Sequence, residues 1–329
     1  MDNFTHSLVG WALGQTGLKT RTRKGLAALV LGANMPDIDV FFGWAPWVPL
    51  ATHRGFTHGL LGGIVILPAL VAGLLWLLDQ EQCRRGAVFR SGLSMNLPWL
   101  IGLSYLGAIT HPLLDLQTTY AVQLLSPFST SWFHTETLFI VDAVIWTVLP
   151  FAIWLSRRRE RQGIAWRRPA ILGLVAVCAY IGLNGIISLA ARHALTVQLR
   201  QRPEIAYARQ EPVLFWKRSL VWRQDGMIGQ ASYDPMRSTG ALFDIQPSVR
   251  DAMNDPLARQ AIARTPTLQP FLRWSTMPMA IIERHRCTAT ISFADARFMT
   301  PVASGGPLQR VRPFGQPPVI LPLRGSGCP

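Results

Sequence analysis

Along the first half of this chain, apolar positions gather into long blocks separated by short polar or basic stretches. Gly59 to Leu78 is a run of twenty residues without Asp, Glu, Lys or Arg. It predicts a helix able to cross ~30 Å of hydrocarbon despite Pro68. Ser91 to Leu114 is free of the same four residue types, and Thr137 to Ser156, with Asp142 inside it, and Pro169 to Ala191 predict two more spans. Ahead of them, Thr5 to Leu18 and Gly25 to Met35 are apolar but too short to cross comfortably, and Pro36 should end the second. Beyond residue 192 the charged residues are spread evenly among prolines and glycines, and Val213 to Arg223 and Thr288 to Phe298 read as strands. The pattern predicts an all-α polytopic membrane domain over residues 1–196, with about four long spans plus two short N-terminal helices. A small α+β or β-rich soluble C-terminal domain is expected over residues 197–329.

The net charge of +14 would suit nucleic acid, but its distribution argues otherwise. Fourteen of the 32 Lys and Arg precede residue 192, and thirteen of those lie in clusters at 19–24, 84–90 and 157–168, between the apolar segments. Short basic loops mark the cytoplasmic side, and six inserted helices put all three clusters there at once. The expected location is a bacterial inner membrane, multi-pass, with membrane lipid rather than nucleic acid as partner. Met1-Asp2-Asn3 lacks a basic start, so no cleaved signal peptide is expected. In this topology Cys287 and Cys328 share an oxidising compartment, Cys83 lies in a cytoplasmic loop and Cys178 in the fourth span. Cys287 and Cys328 are then the plausible disulfide partners, the alternative being two free thiols.

The same topology gathers the chemistry on the opposite face. His111 and Asp115, four residues apart, present a nitrogen and an oxygen from one helical face at the end of an uncharged run. A metal ion would compensate them; the plainer alternative is a solvated helix-end pair. His6, His53, His58, His134 and the acids Asp37, Asp39, Glu136 and Asp142 fall in or near the same outer ends. So many nitrogen and oxygen donors exceed the three or four of one zinc site, which points to two or three ions, zinc or manganese. His53 and His58 would be about 140° apart on one regular helix, so one belongs to the loop around Gly55. Arg54 could pair a phosphate or reach lipid headgroups. Asp142 reads as orienting a ligand or pairing within the bundle.

Four ordered motifs carry a resemblance: Met1 to Gly10, Asn34 to Asp39, His53 to His58 and Thr110 to Asp115, followed by Leu124 to Phe128 and Phe139 to Asp142. Over roughly residues 1–195 the chain resembles the YdjM-like membrane-bound metal-dependent hydrolases, a family distantly similar to zinc-dependent phospholipases C and single-strand nucleases. The resemblance implies His6, Asp37, Asp39, His53, His58, His111 and Asp115 as metal ligands, with Glu136 where a further acid is expected, whereas His134 departs from the pattern.

The expectation is a metal-dependent hydrolase cleaving a phosphoester or lipid-related bond at the outer membrane face, with Asp37 or Asp39 orienting or deprotonating a water. The alternatives are a metal or proton transporter, and a structural or regulatory membrane protein in which the metal staples the bundle. A conduction path needs polar groups along the spans toward the arginines, and Asp142 and Asn96 alone come close to that.

Overall fold

The first helix is set by its cap. In the computed structural model, which describes residues 1–42, 53–237, 241–298 and 316–323, the Asp2 carboxylate accepts from Thr5 N at 3.0 Å and Thr5 Oγ1 at 2.6 Å and starts α1 (Asn3–Gln15). α2 (Gly25–Asn34) ends ahead of Pro36, and the chain continues as a 3-10 helix from Met35 to Phe42. A π-helical stretch, Leu60–Ile66, leads into α3 (Leu67–Arg84), with Pro68 at the junction between the two. α4 (Leu97–Asp115), α5 (Ala143–Arg161) and α6 (Arg167–Leu199) follow. Among the described residues, Leu60–Arg84, Leu97–Asp115 and Arg167–Leu199 are the helices long and apolar enough to cross a membrane. Leu70, Leu74 and Leu77 on α3 and Leu172, Val175 and Leu183 on α6 are exposed, a lipid-facing pattern, whereas Val71, Ala72 and Leu75 are buried.

The third expected span differs from its prediction. Its helix begins at Ala143 rather than Thr137, because Asp142 caps it, Oδ1 accepting from Val144 N at 3.0 Å and Ile145 N at 3.2 Å. Asp142 therefore stands at the start of the helix, not inside it. α5 also runs on through Arg157, Arg158, Arg159, Glu160 and Arg161, a last stretch too charged for hydrocarbon.

The described residues divide into two units, the first of residues 1–42, 53–186 and 212–215, the second of residues 187–211 and of those from 216 onward. In the first, α1, α2 and α4 meet backbone to backbone. A Cβ on Gly32 would stand 2.4 Å from Ser104 O and one on Gly107 2.3 Å from Leu29 O, closer than real atoms come. Ala28, Leu29, Val71, Leu75, Leu100 and Leu103 fill the space beside this crossing. The basic loops collect at one end of the unit: Lys19 Nζ lies 2.6 Å from Glu160 Oε2, and Arg23 grips the buried Asp79 through two bonds of 2.7 and 2.6 Å. Arg23 N donates to Ser94 O at 3.0 Å, which adds the start of α4 to that end. His111 and Asp115 close the other end of α4, roughly 20 Å along its axis.

The second unit is a sheet of order β1 (Ile205–Gln210), β2 (Arg218–Gln224), β3 (Met227–Tyr233), β4 (Leu242–Arg250), all antiparallel, and a second of order β5 (Pro278–Arg284), β6 (Thr288–Asp295), β7 (Val319–Pro322). Alternation gives the first sheet two apolar faces: Leu220, Trp222 and Ala208 pack on Ala191, Ala194 and Leu195 of α6, while Val221 and Tyr207 pack on Met277, Met279 and Ala294. Two short helices, α7 (Pro256–Arg264) and α8 (Gln269–Trp274), join the sheets in sequence. The strand expected from Val213 starts only at Arg218, since Pro212 offers no N–H to a ladder and Phe215 stacks edge-on with Tyr180 at 5.3 Å. β6 ends at Asp295, and residues 296–298 form a 3-10 turn. Cys287 is disulfide-bonded, Cys83 and Cys178 are free, and Cys328 lies outside the described residues.

Gly107→Val should destabilise the protein by about 1–3 kcal/mol through overpacking against Leu29 O. Gly102→Val, on the same helix with nothing within 4 Å of its Cβ, should be near neutral. Thermal unfolding in detergent compares the two, and equal melting points would refute the close crossing.

Candidate metal centre

Four stretches of the first unit deliver the donors. Asp37 and Asp39 ride the 3-10 helix that Pro36 helps to start, and His53 and His58 flank a turn in which Arg54 has φ +66° before the short 3-10 helix Phe56–His58. His111 and Asp115 stand one turn apart on α4, and His6 sits in the first half of α1. Ligand atoms of Asp37, His58, His111 and Asp115, all buried, lie within 4.8 Å of one another, and so do those of Asp39, His53 and His58.

The hydrogen-bond network assigns the imidazole tautomers. His111 Nδ1 lies 2.6 Å from Ala33 O and can only donate there, which leaves a lone pair on Nε2. His58 Nδ1 lies 3.0 Å from Thr57 Oγ1, whose own proton goes to Asp39 Oδ2 at 2.5 Å, so Nδ1 again donates. The two Nε2 atoms then face each other 3.1 Å apart, lone pair to lone pair. Asp37 Oδ1 is 3.3 Å from each, and Asp115 Oδ2 is 3.4 Å from His58 Nε2 and 3.6 Å from His111 Nε2. Two imidazole lone pairs and two carboxylates converging in a buried space repel one another unless a cation lies among them. The donor set, nitrogen and oxygen only, fits a zinc- or manganese-type divalent ion.

The electrostatics agree. Asp39 is held down against burial by His53, whose Nδ1 is 2.7 Å from its Oδ1, and by Thr57. Burial pushes His58 down to about 3, so it is neutral at physiological pH, the form a metal needs.

The remaining expected residues distribute unevenly. His6 stacks on His111 with ring centroids 3.7 Å apart; its Nε2 is 3.5 Å from Asp115 Oδ1, and neither ring nitrogen has a hydrogen-bond partner. Arg54 does not reach outward to headgroups: it is buried, donating to Thr118 Oγ1 at 2.8 Å with Nη2 3.2 Å from Asp115 Oδ1. Burial lowers it to about 10, which leaves it charged. The Met1 nitrogen also touches Asp115 Oδ1. Glu136 is buried at φ +61° with Oε1 3.0 Å from His134 Nδ1, outside both groups of converging ligand atoms. Asp142 caps α5 and accepts from Tyr180 Oη at 2.9 Å. Sequence reasoning missed Thr57, Thr118 and the Ala33 carbonyl, which orient His58, Arg54 and His111; their proximity to the motifs was the available signal.

The sequence model described as YdjM inner membrane protein matches residues 1–191. No curated protein and no solved structure matches the chain.

The chelator-treated protein should lose stability as the pH falls. His58 binds its proton near 6.5 when unfolded but only near 3 when folded, so its contribution is full above 6.5 and declines below it. Between pH 7.5 and 5 the loss should be about 2 kcal/mol, read as a falling melting temperature, and His58→Gln should flatten the profile. A wild-type curve that is flat over this range would contradict the neutral, buried imidazole.

Proposed function

The chain belongs to the YdjM inner membrane protein family, and on that premise we propose that it is a membrane-embedded, metal-dependent hydrolase of phosphoester bonds presented at the membrane surface. The observation that carries this reading is the pair of facing Nε2 atoms of His58 and His111 within reach of Asp37 and Asp115. Asp37, His58, His111 and Asp115 would hold one divalent ion, and Asp39, His53 and His58 would border a second. Bound there, such ions supply Lewis acidity: they lower the pKa of a water and neutralise charge on a phosphoryl oxygen.

The chain's own groups divide the remaining work. Asp37 and Asp115 are buried carboxyl groups, suited to holding cations. Asp39 and His53 are only partly buried, so they form the more open side of the cluster, where a substrate would arrive. Asp39, fixed by His53 and Thr57, is the group we assign to orient a water and accept its proton. Arg54, held by Thr118, balances Asp115 rather than gripping a substrate phosphate. We place the end of the bundle with the basic loops in the cytoplasm and the His/Asp cluster outside it, on the charge distribution among the loops.

Purified wild type loaded with zinc or manganese should hydrolyse chromogenic phosphodiesters or a phospholipid in mixed micelles, and chelation should abolish this. Asp39→Asn should keep most of its metal by elemental analysis and lose turnover by about a hundredfold or more. Asp37→Asn should lose the metal itself. A metal-loaded wild type that leaves phosphomonoesters, phosphodiesters and phospholipids alike intact would reject the reading.

A further inference from the structure

Along the side of the first unit, α1 and α5 leave a groove between them that runs from Phe4, two residues from His6, toward the end with the basic loops. Its volume is about 570 Å³ and its wall is almost wholly apolar, built by Phe4, Leu8 and Trp11 on one helix and Pro150, Ile153 and Trp154 on the other. The spacings 4, 8, 11 and 150, 153, 154 are helical stripes, so two faces turn toward one channel. The helices run side by side in the same direction, since Thr5 Oγ1 accepts from Trp146 Nε1 at 3.0 Å and Lys19 meets Glu160 at 2.6 Å. The channel is therefore about 10 Å long over α1, the reach of a good part of an acyl chain.

One end of this channel is cationic. Arg157, Arg158 and Arg161 line it, all exposed, and among the described residues no carboxylate pairs with any of them. The nearby acid, Glu160, is taken by Lys19. Arg157 and Arg158 lie over the rings of Trp11 and Trp154, at 5.3 and 5.5 Å, which holds the guanidinium groups at the mouth. A smaller cavity of about 320 Å³ shares Trp11, Arg157 and Arg161 with the groove and adds the polar Gln15, Lys19 and Glu160. An apolar channel that opens onto unpaired arginines and then onto a polar recess matches a molecule with an acyl chain, a phosphate and a polar headgroup, in that order.

We propose that the groove between α1 and α5 is a binding site for an anionic phospholipid, with one acyl chain along Trp11 and Trp154 and the phosphate and headgroup on Arg157, Arg158 and Arg161. The two halves reinforce each other: unpaired guanidinium groups select negative charge, and the apolar wall selects a lipid over a soluble phosphate. The site is independent of the metal centre, which uses other residues of α1 and none of α5.

Native mass spectrometry of the full-length protein in detergent tests this, with phosphatidylglycerol and phosphatidylcholine of identical chains as probes. Wild type should retain phosphatidylglycerol in preference to phosphatidylcholine. The triple variant Arg157→Gln, Arg158→Gln, Arg161→Gln should bind it on the order of a hundredfold more weakly. Trp154→Ala, which keeps the charge and removes part of the wall, should also weaken it, and glycerol phosphate should not compete. Equal retention of the two lipids, unchanged binding by the triple variant or by Trp154→Ala, or displacement by glycerol phosphate at equal concentration would each overturn the proposal. Melting temperatures near wild type confirm that the variants, all at exposed positions, remain folded.

Discussion

The close crossing of α2 and α4 is the constraint on which the rest of the first unit depends. Gly32 and Gly107 each present bare backbone to a carbonyl of the other helix, at distances that any side chain would forbid. Because the crossing is tight, Ala33 O comes within 2.6 Å of His111 Nδ1 and fixes that ring. The chain that leaves α2 then has a short 3-10 path to bring Asp37 to His111 Nε2 at 3.3 Å. A packing choice made by two small residues thus sets both the tautomer of one donor and the position of another.

The cluster that results is costly as a set of protein groups alone. Buried carboxylates and imidazole lone pairs point at one another, and the compensation within reach is Arg54 on Asp115, the Met1 nitrogen, and the hydroxyl of Thr57 on Asp39. Such an arrangement persists in a fold where something else stabilises it, and the orphaned His6 nitrogens beside Asp115 mark the same deficit. Secondary hydrogen bonds orient His58, His111 and Asp39, as a metal site requires.

The two ends of the bundle are chemically opposite. One gathers Lys19 and Arg23, held by Glu160 and Asp79, together with the α5 arginines; the other gathers acids and histidines. A helix such as α4 spans the distance between them with no charged side chain until Asp115. This polarity separates the arginine-lined end of the groove from the His/Asp cluster, and it follows from keeping charge out of the apolar middle.

Much of this was legible in the sequence because it rests on local patterns. Uncharged blocks at Gly59 to Leu78, Ser91 to Leu114 and Pro169 to Ala191 marked spans, found at Leu60–Arg84, Leu97–Asp115 and Arg167–Leu199, and ordered motifs marked Asp37, His58, His111 and Asp115, since side-chain chemistry and helical spacing are read residue by residue. Composition alone could not place the start of α5, which the Asp142 cap decides, nor the start of β2, which Pro212 and the packing of Phe215 on Tyr180 decide. Nor could it show that Arg54 turns inward, that Glu136 pairs with His134 outside the converging ligand atoms, or that Ala33 O and Thr57 orient the imidazoles. Those facts depend on atoms brought together from distant positions. Sequence determined which groups had to avoid or seek water, a property of each residue; the tertiary structure alone decided which of them meet, because that depends on how closely two helices can approach.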